Sequence, residues 1–201
     1  MKIVIATHNQ KKGGEMAQIM GEALPDIEFV PLTDFQDAPE PEETGTTYKE
    51  NALIKARSSA RFTGEWSLAD DAGLEIDAIP GELGLFSKRF AGVETTFEEK
   101  IRLVLDKMEG LPRSERKARF VCHVALVSPI GEEQSFYATL EGEISIEPKG
   151  SGGFGYDPIF YVESLNKCLA ELTPEQKHAI SHRGKVLAQV IEHLRQKQSN
   201  G

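Results

Sequence analysis

Cysteine is scarce in this chain. There are two among 201 residues, Cys122 and Cys168, far apart and outside any metal-ligand spacing. They leave no disulfide framework and no cysteine metal centre, and they read as buried free thiols of a reducing cytoplasm. Basic residues are also outnumbered: 23 Lys and Arg face 32 Asp and Glu, for a formal net charge of −9. That balance excludes non-specific nucleic-acid binding, which needs a basic face. No apolar run approaches the length that crosses a bilayer, and the first residues read as a strand instead of a signal peptide. The P-loop signature G-x-x-x-x-G-K-[ST] is absent, as are internal repeats and low-complexity tracts. At 39% hydrophobic content, the chain can bury a full core as one domain or as two lobes.

Strand and helix patterns interleave without a linker. Residues 2–6 are β-branched and bounded by polar positions, which predicts a buried strand. It feeds a helix with Met16, Ile19, Met20 and Ala23 on one stripe, whose first turn Gly13 and Gly14 should make irregular. Residues 28–30 read as a second strand. Thr47-x-x-Glu50 is a capping box opening a helix to about Phe62, with Tyr48, Ala52, Ala56 and Ser59 along one side. Thr96-x-x-Glu99 opens another, with Ile101, Val104, Leu105 and Met108 as its buried stripe. Residues 118–128 and 134–140 read as a hairpin across Pro129-Ile130-Gly131, which excludes a purely parallel, doubly wound sheet. A last helix places Leu187, Val190, Ile191 and Leu194 on one face, and residues 196–201 are expected to fray. The pattern is that of a mixed α/β fold.

Four segments carry chemistry. Residues 149–158 hold four glycines with Phe154, Tyr156 and Asp157. Glycine lets successive N–H groups approach an anion, the rings offer flat faces to a base, and the aspartate accepts from a base edge. Taken alone, this is also a surface hairpin with an aromatic tucked into the core. Thr7-His8-Asn9-Gln10-Lys11-Lys12 joins a strand to a helix N-terminus, where phosphates bind. Ordinary capping by Asn9 beside a solvated lysine is the plainer reading. Asp70-Asp71-Ala72-Gly73 sits at an apparent strand end. Neighbours on a strand face opposite ways, so both aspartates reach one site only if the chain turns, as Gly73 permits. Mg²⁺ takes one or two carboxylates plus phosphate oxygens, and Asp71 with Glu42 or Glu43 would supply them. Such a carboxylate would also orient or deprotonate an attacking water. In residues 171–184, Thr173-Pro174 opens a short helix, Lys177 is expected to point across a cleft, and His182-Arg183 begin the final helix. Lys12, Lys55, Lys177 and Arg183, with Mg²⁺, are the positive charges open to a triphosphate in an acidic protein.

Thr7-x-Asn9-x-x-Lys12 is followed by Glu43-Thr44-Gly45-Thr46-Thr47-Tyr48-x-Glu50-Asn51-Ala52-x-x-Lys55-Ala56 and by Ala69-Asp70-Asp71-Ala72-Gly73-Leu74. Gly153-Phe154-Gly155-Tyr156-Asp157-Pro158-Ile159-Phe160 and Ile180-Ser181-His182-Arg183-Gly184 complete the set. In this order the blocks resemble the Ham1/RdgB family of inosine/xanthosine triphosphate pyrophosphatases. The resemblance implies one ITPase-like catalytic domain over residues 1–201, a long twisted sheet flanked by helices in two lobes with the active-site cleft between them. It further implies a cytoplasmic homodimer that uses Mg²⁺ to cleave ITP, dITP and XTP to the monophosphate and pyrophosphate. Carried over position by position, Asp71 is the proton acceptor, and Glu42, Glu43 and Asp71 are the candidate metal ligands. Thr7, His8, Asn9, Gln10, Lys11, Lys12, Lys55, Ala72, Phe154, Gly155, Tyr156, Asp157, Lys177, His182 and Arg183 are the candidate substrate contacts. The chain departs from the family at Ala72, where serine is usual, and at His178, where another polar residue is common. Two other functions fit parts of the pattern: a nucleotide sensor without turnover, and a pyrophosphatase for modified pyrimidine nucleotides. Paired acids beside Lys55 favour the enzyme, and Ser181-His182-Arg183 favours the purine substrate.

Overall fold

The β-branched run at the start of the chain forms β1 (Lys2–Ile5), with three of its four residues buried. In the computed structural model, which describes residues 1–199, β1 pairs in parallel with β2 (Glu28–Pro31) and β3 (Trp66–Ile76). With β4 (Lys117–Val127), β5 (Glu133–Ile144), β6 (Phe160–Val162) and β7 (Lys167–Cys168), the sheet order is β2-β1-β3-β4-β5-β6-β7. β6 runs antiparallel to both β5 and β7. One end of the sheet is therefore parallel and the other antiparallel, the mixed arrangement expected from the strand pattern.

The helices begin where their caps predict. Asn9 Oδ1 accepts from Lys12 N at 3.1 Å and starts α1 (Gln10–Ala23). Complete capping boxes on Thr47, Thr96 and Thr173 start α2 (Tyr48–Thr63), α3 (Phe97–Lys107) and α4 (Pro174–Ile180). Each such cap satisfies backbone donors that would otherwise go unpaired, at about 1 kcal/mol. Two expectations are corrected. α1 is regular through Gly13 and Gly14, with Gly13 buried in the contact face. The last helix, α5 (His182–Ser199), continues through residues expected to fray, while residues 200–201 lie outside the described residues. Its final turns are anchored: Arg195 donates to Ala23 O at 3.1 Å, and Lys197 reaches Glu132 at 3.1 Å and lies over the Trp66 ring.

The chain forms two compact units, each discontinuous in sequence. The first comprises Met1–Asp71, Cys122–Ala138 and the segment from Val186. Its core is rich in small residues, Ala52, Ala56 and Ala60 of α2 together with Val4, Ala69, Ala125 and Val127. Alanine at these positions lets the α2 backbone approach the sheet closely. The second unit, Ala72–Val121 and Thr139–Lys185, has a larger-residue core of Leu74, Ile101, Met108, Phe120, Ile159 and Phe160. Its buried Arg116 has carbonyl partners, Ile144 O and Met108 O at 2.7 Å and Ser145 O at 2.8 Å. Cys122 and Cys168 are buried thiols in no disulfide, as predicted. Among the described residues no helix is long and apolar enough to cross a membrane.

Candidate active site

In the first unit, α1, α2 and β3 bring acids and ammonium groups together. β3 does not turn at Asp70-Asp71 as anticipated. It stays extended to Ile76, so the two side chains leave the strand on opposite sides. Asp70, 2% exposed, takes the Lys12 ammonium at 3.1 Å. Asp71 accepts from Lys55 Nζ on Oδ1 at 3.3 Å and from Asn51 Nδ2 on Oδ2 at 3.2 Å. Lys55 also donates to Glu43 Oε1 at 2.9 Å. Asn51 and Lys55 are four residues apart and so share one face of α2. The acidic dipeptide is thus two ion pairs with different partners.

Burial pushes the Asp71 carboxyl above its usual range; the Lys55 ammonium opposes that, and the Glu43 and Asp70 charges add to it. For Lys55 burial acts downward, but Asp71, Asp70 and Glu43 together outweigh it, and its pKa is raised. Thr7 Oγ1 accepts from Asn9 N at 3.2 Å, and His8 Nε2 lies 3.4 Å from Pro39 O. His8, Asn9, Gln10 and Lys11 are exposed around this helix start.

In the second unit, the loop before the 3₁₀ turn Asp157–Ile159 uses Gly150, Gly153 and Gly155 at positive φ. It closes on Asp157, 3% exposed, whose Oδ2 accepts from Phe154 N at 2.7 Å and from Lys177 Nζ at 2.5 Å. Lys177, expected to point across a cleft, is instead 8% exposed and lies 4.3 Å from the Phe154 ring centroid. The Arg183 guanidinium is 5.5 Å from the same ring. Burial pushes the Asp157 carboxyl upward, while Lys177, the Phe154 N–H and Arg183 pull against it.

Tyr156 does not offer a flat face. Its ring is in the core, edge-on to Phe97, and its hydroxyl donates to Ser87 O at 2.9 Å. Phe154, half-buried, is the ring of this loop left to meet a base. His182 stacks on Phe120 at 4.8 Å. Ser181 Oγ accepts from Gly184 N at 3.0 Å and caps α5. A Cβ on Gly184 would collide with the His178 carbonyl, so only glycine allows α4 and α5 to meet there.

The sequence reading of the site missed Asn51, which holds Asp71, and missed that Asp70 is the partner of Lys12. A buried asparagine among Tyr48, Ala52 and Ala56 on the apolar side of α2 was the available signal for Asn51. For a divalent cation, no group of three His, Cys, Asp or Glu is assembled among the described residues. Glu43 and Asp71 nevertheless converge on one point of positive charge, the Lys55 ammonium, while Glu42 is exposed. Two hard carboxylates completed by phosphate oxygens and water are a donor set that suits Mg²⁺.

Comparison with known proteins decides the family. The Ham1 family profile matches residues 3–193. The chain belongs to the Ham1 family. A relative from Exiguobacterium sibiricum, named dITP/XTP pyrophosphatase, is 46% identical over 187 residues, 93% of each chain. One of the same name from Geobacter sulfurreducens is 44% identical over 193 residues, 96% of each. The solved HAM1 protein of Coxiella burnetii shares 45% identity with a TM-score of 0.87, covering 98% of this chain and 99% of that one. The Ham1 protein of Staphylococcus aureus, at 36% identity, has a TM-score of 0.88 and coverage of 98% and 100%. The Ham1 fold accounts for the mixed sheet and its flanking helices.

Proposed function

We propose that this chain is a nucleoside triphosphate pyrophosphatase that hydrolyses ITP, dITP and XTP to the monophosphate and pyrophosphate. The observation that carries the reading is Asp71, half-buried and held on both oxygens by Lys55 and Asn51, in a chain of the Ham1 family. Asp71 accepts a proton from the water that attacks the α-phosphorus, the bond from that phosphorus to the bridging oxygen breaks, and pyrophosphate leaves. Its raised pKa brings it nearer to the range useful for a general base. Lys12 and Lys55 supply positive charge to the phosphate chain, in a protein that is otherwise acidic. Glu43 and Asp71 would hold Mg²⁺, which when bound neutralises phosphate charge. A module that only binds nucleotide gains little from carboxylates placed near a polyanion.

Base selection falls to Phe154, His182 and Arg183. Phe154, braced by Lys177 and Arg183, stacks on the purine. His182, Arg183 and neighbouring N–H groups donate to the 6-keto oxygen of hypoxanthine or xanthine. Adenine presents an amino donor there, and arginine has no acceptor to meet it. The unpaired contact costs roughly 1–3 kcal/mol, and a site built on such bonds discriminates more strongly still. Ala72, lacking the usual serine hydroxyl, forgoes one hydrogen bond of about 0.5–1.5 kcal/mol.

A homodimer in the cytoplasm is part of the same proposal; two buried thiols in no disulfide fit a reducing compartment. The test is a panel of ITP, dITP, XTP, GTP and ATP with pyrophosphate detection, with and without Mg²⁺. ITP and XTP should exceed ATP by a larger factor than they exceed GTP. Equal efficiency on ITP and ATP, or orthophosphate as the product, would overturn the reading.

A further inference from the structure

Asn51 is 4% exposed in the first turn of α2, and both ends of its amide are engaged. Its Nδ2 donates to Asp71 Oδ2 at 3.2 Å, and its Oδ1 accepts from the backbone N–H of Gly45 at 2.8 Å. Beside it, Glu50 Oε2 accepts from Thr46 N at 2.7 Å and Thr47 N at 3.1 Å. Consecutive side chains of one helix turn therefore clamp residues 45–47, the stretch following Glu43. One turn further along, Lys55 holds Glu43 itself and the other oxygen of Asp71.

A carboxylate rotates in a broad, roughly two-fold well about its last torsion. Separate donors on Oδ1 and Oδ2 remove that freedom. The amide offers a donor to Asp71 and an acceptor to Gly45 together; an ionised aspartate could serve Gly45 alone.

We infer that Asn51 is a positioning residue for the reaction, orienting the Asp71 carboxylate and locking it to the turn that follows Glu43. The inference rests on Asp71 being the reactive carboxylate, as proposed above. Groups that hold a reacting or metal-binding side chain in place typically change activity by about 10–100-fold when lost.

The decisive variant is Asn51→Asp, which keeps the acceptor for Gly45 and replaces the donor to Asp71 with a like charge. It is compared with Asp71→Asn and with the exchange variant carrying both substitutions. The readouts are kcat and KM on ITP with Mg²⁺, calorimetric binding of the monophosphate IMP, and melting temperature. Asn51→Asp should lower kcat by about 10–100-fold with KM, IMP affinity and folding retained. Added to Asp71→Asn, it should cost no further kcat. If Asn51→Asp does not fold, the exchange variant, in which residue 71 can donate to residue 51, should regain the wild-type melting temperature. Wild-type kcat in Asn51→Asp, a loss confined to KM, an equal loss on top of Asp71→Asn, or an exchange variant as unstable as the single one would each overturn the inference. Wild-type turnover in Asp71→Asn would instead remove the reading of Asp71 on which it rests.

Discussion

Lys177 and Asp157 form a buried ion pair, nitrogen to oxygen 2.5 Å, with side-chain exposures of 10% and 4%. Pairs this enclosed are weak evidence for stability, yet removing one partner strands the other charge. Lys177→Ala should therefore destabilise the protein by about 3–5 kcal/mol in denaturant unfolding. Joining it to Asp157→Leu should recover much of the loss. IMP binding should weaken along with ITP use, because the pair braces Phe154. Intact IMP binding in a folded Lys177→Ala protein would show that the ammonium serves the phosphates instead.

Lys12 is different. Its side chain is 20% exposed and reaches Asp70 from the first turn of α1. Lys12→Ala should weaken binding progressively along the series IMP, IDP, ITP, as expected for a charge that meets phosphates. A uniform loss across the series would place Lys12 in the fold or at the nucleoside.

Asp71→Asn should lower turnover by about 10²- to 10⁴-fold with the fold intact. The pH dependence has a definite sign. Burial raises the folded-state pKa of Asp71 above its unfolded value, so between the two the folded protein keeps a proton that the unfolded chain has released. Stability from this group is full below the ordinary carboxylate range and is lost as pH rises through the raised value. In chelator, wild type should therefore lose stability relative to Asp71→Asn across that window. Turnover runs the other way, rising as the base ionises. Unfolding curves at a series of pH values check the first statement, and a flat difference between the two proteins would refute it.

Gly184→Ala sets a methyl group against the His178 carbonyl. Overpacking of this kind costs about 1–3 kcal/mol, and here it bears on the turn that places His182 and Arg183. A lower melting temperature and a raised KM for ITP are expected together. A variant with wild-type values in both would mean that α4 and α5 separate freely.

Local chemistry was legible before the structure. Thr47 with Glu50, Thr96 with Glu99 and Thr173 with Pro174 announce helix starts because their signals lie within one turn of the bonds they make. Contacts between distant residues were not. Lys12 meets Asp70 across 58 positions and Lys177 meets Asp157 across 20, and nothing local distinguishes either lysine from a solvated one. Tyr156 looked like an open ring because its neighbours are glycines, yet the 3₁₀ turn after it carries Ile159 into the core and draws the phenol along. Asp70 and Asp71 looked like one acidic site because the strand was expected to stop, whereas continued alternation gave them separate partners.

The order in which these residues are synthesised bears on when the protein becomes active. By the time Lys185 has been added, every residue of the second unit has been made. The first unit still lacks the segment that supplies Val186, Leu187, Val190 and Leu194, all nearly or wholly buried. Asp71, Lys55 and Asn51 belong to that first unit and are made early. A ribosome-bound chain halted before α5 therefore carries all the residues proposed for water activation on a scaffold whose core is unfinished. Proton abstraction would have to await the final helix.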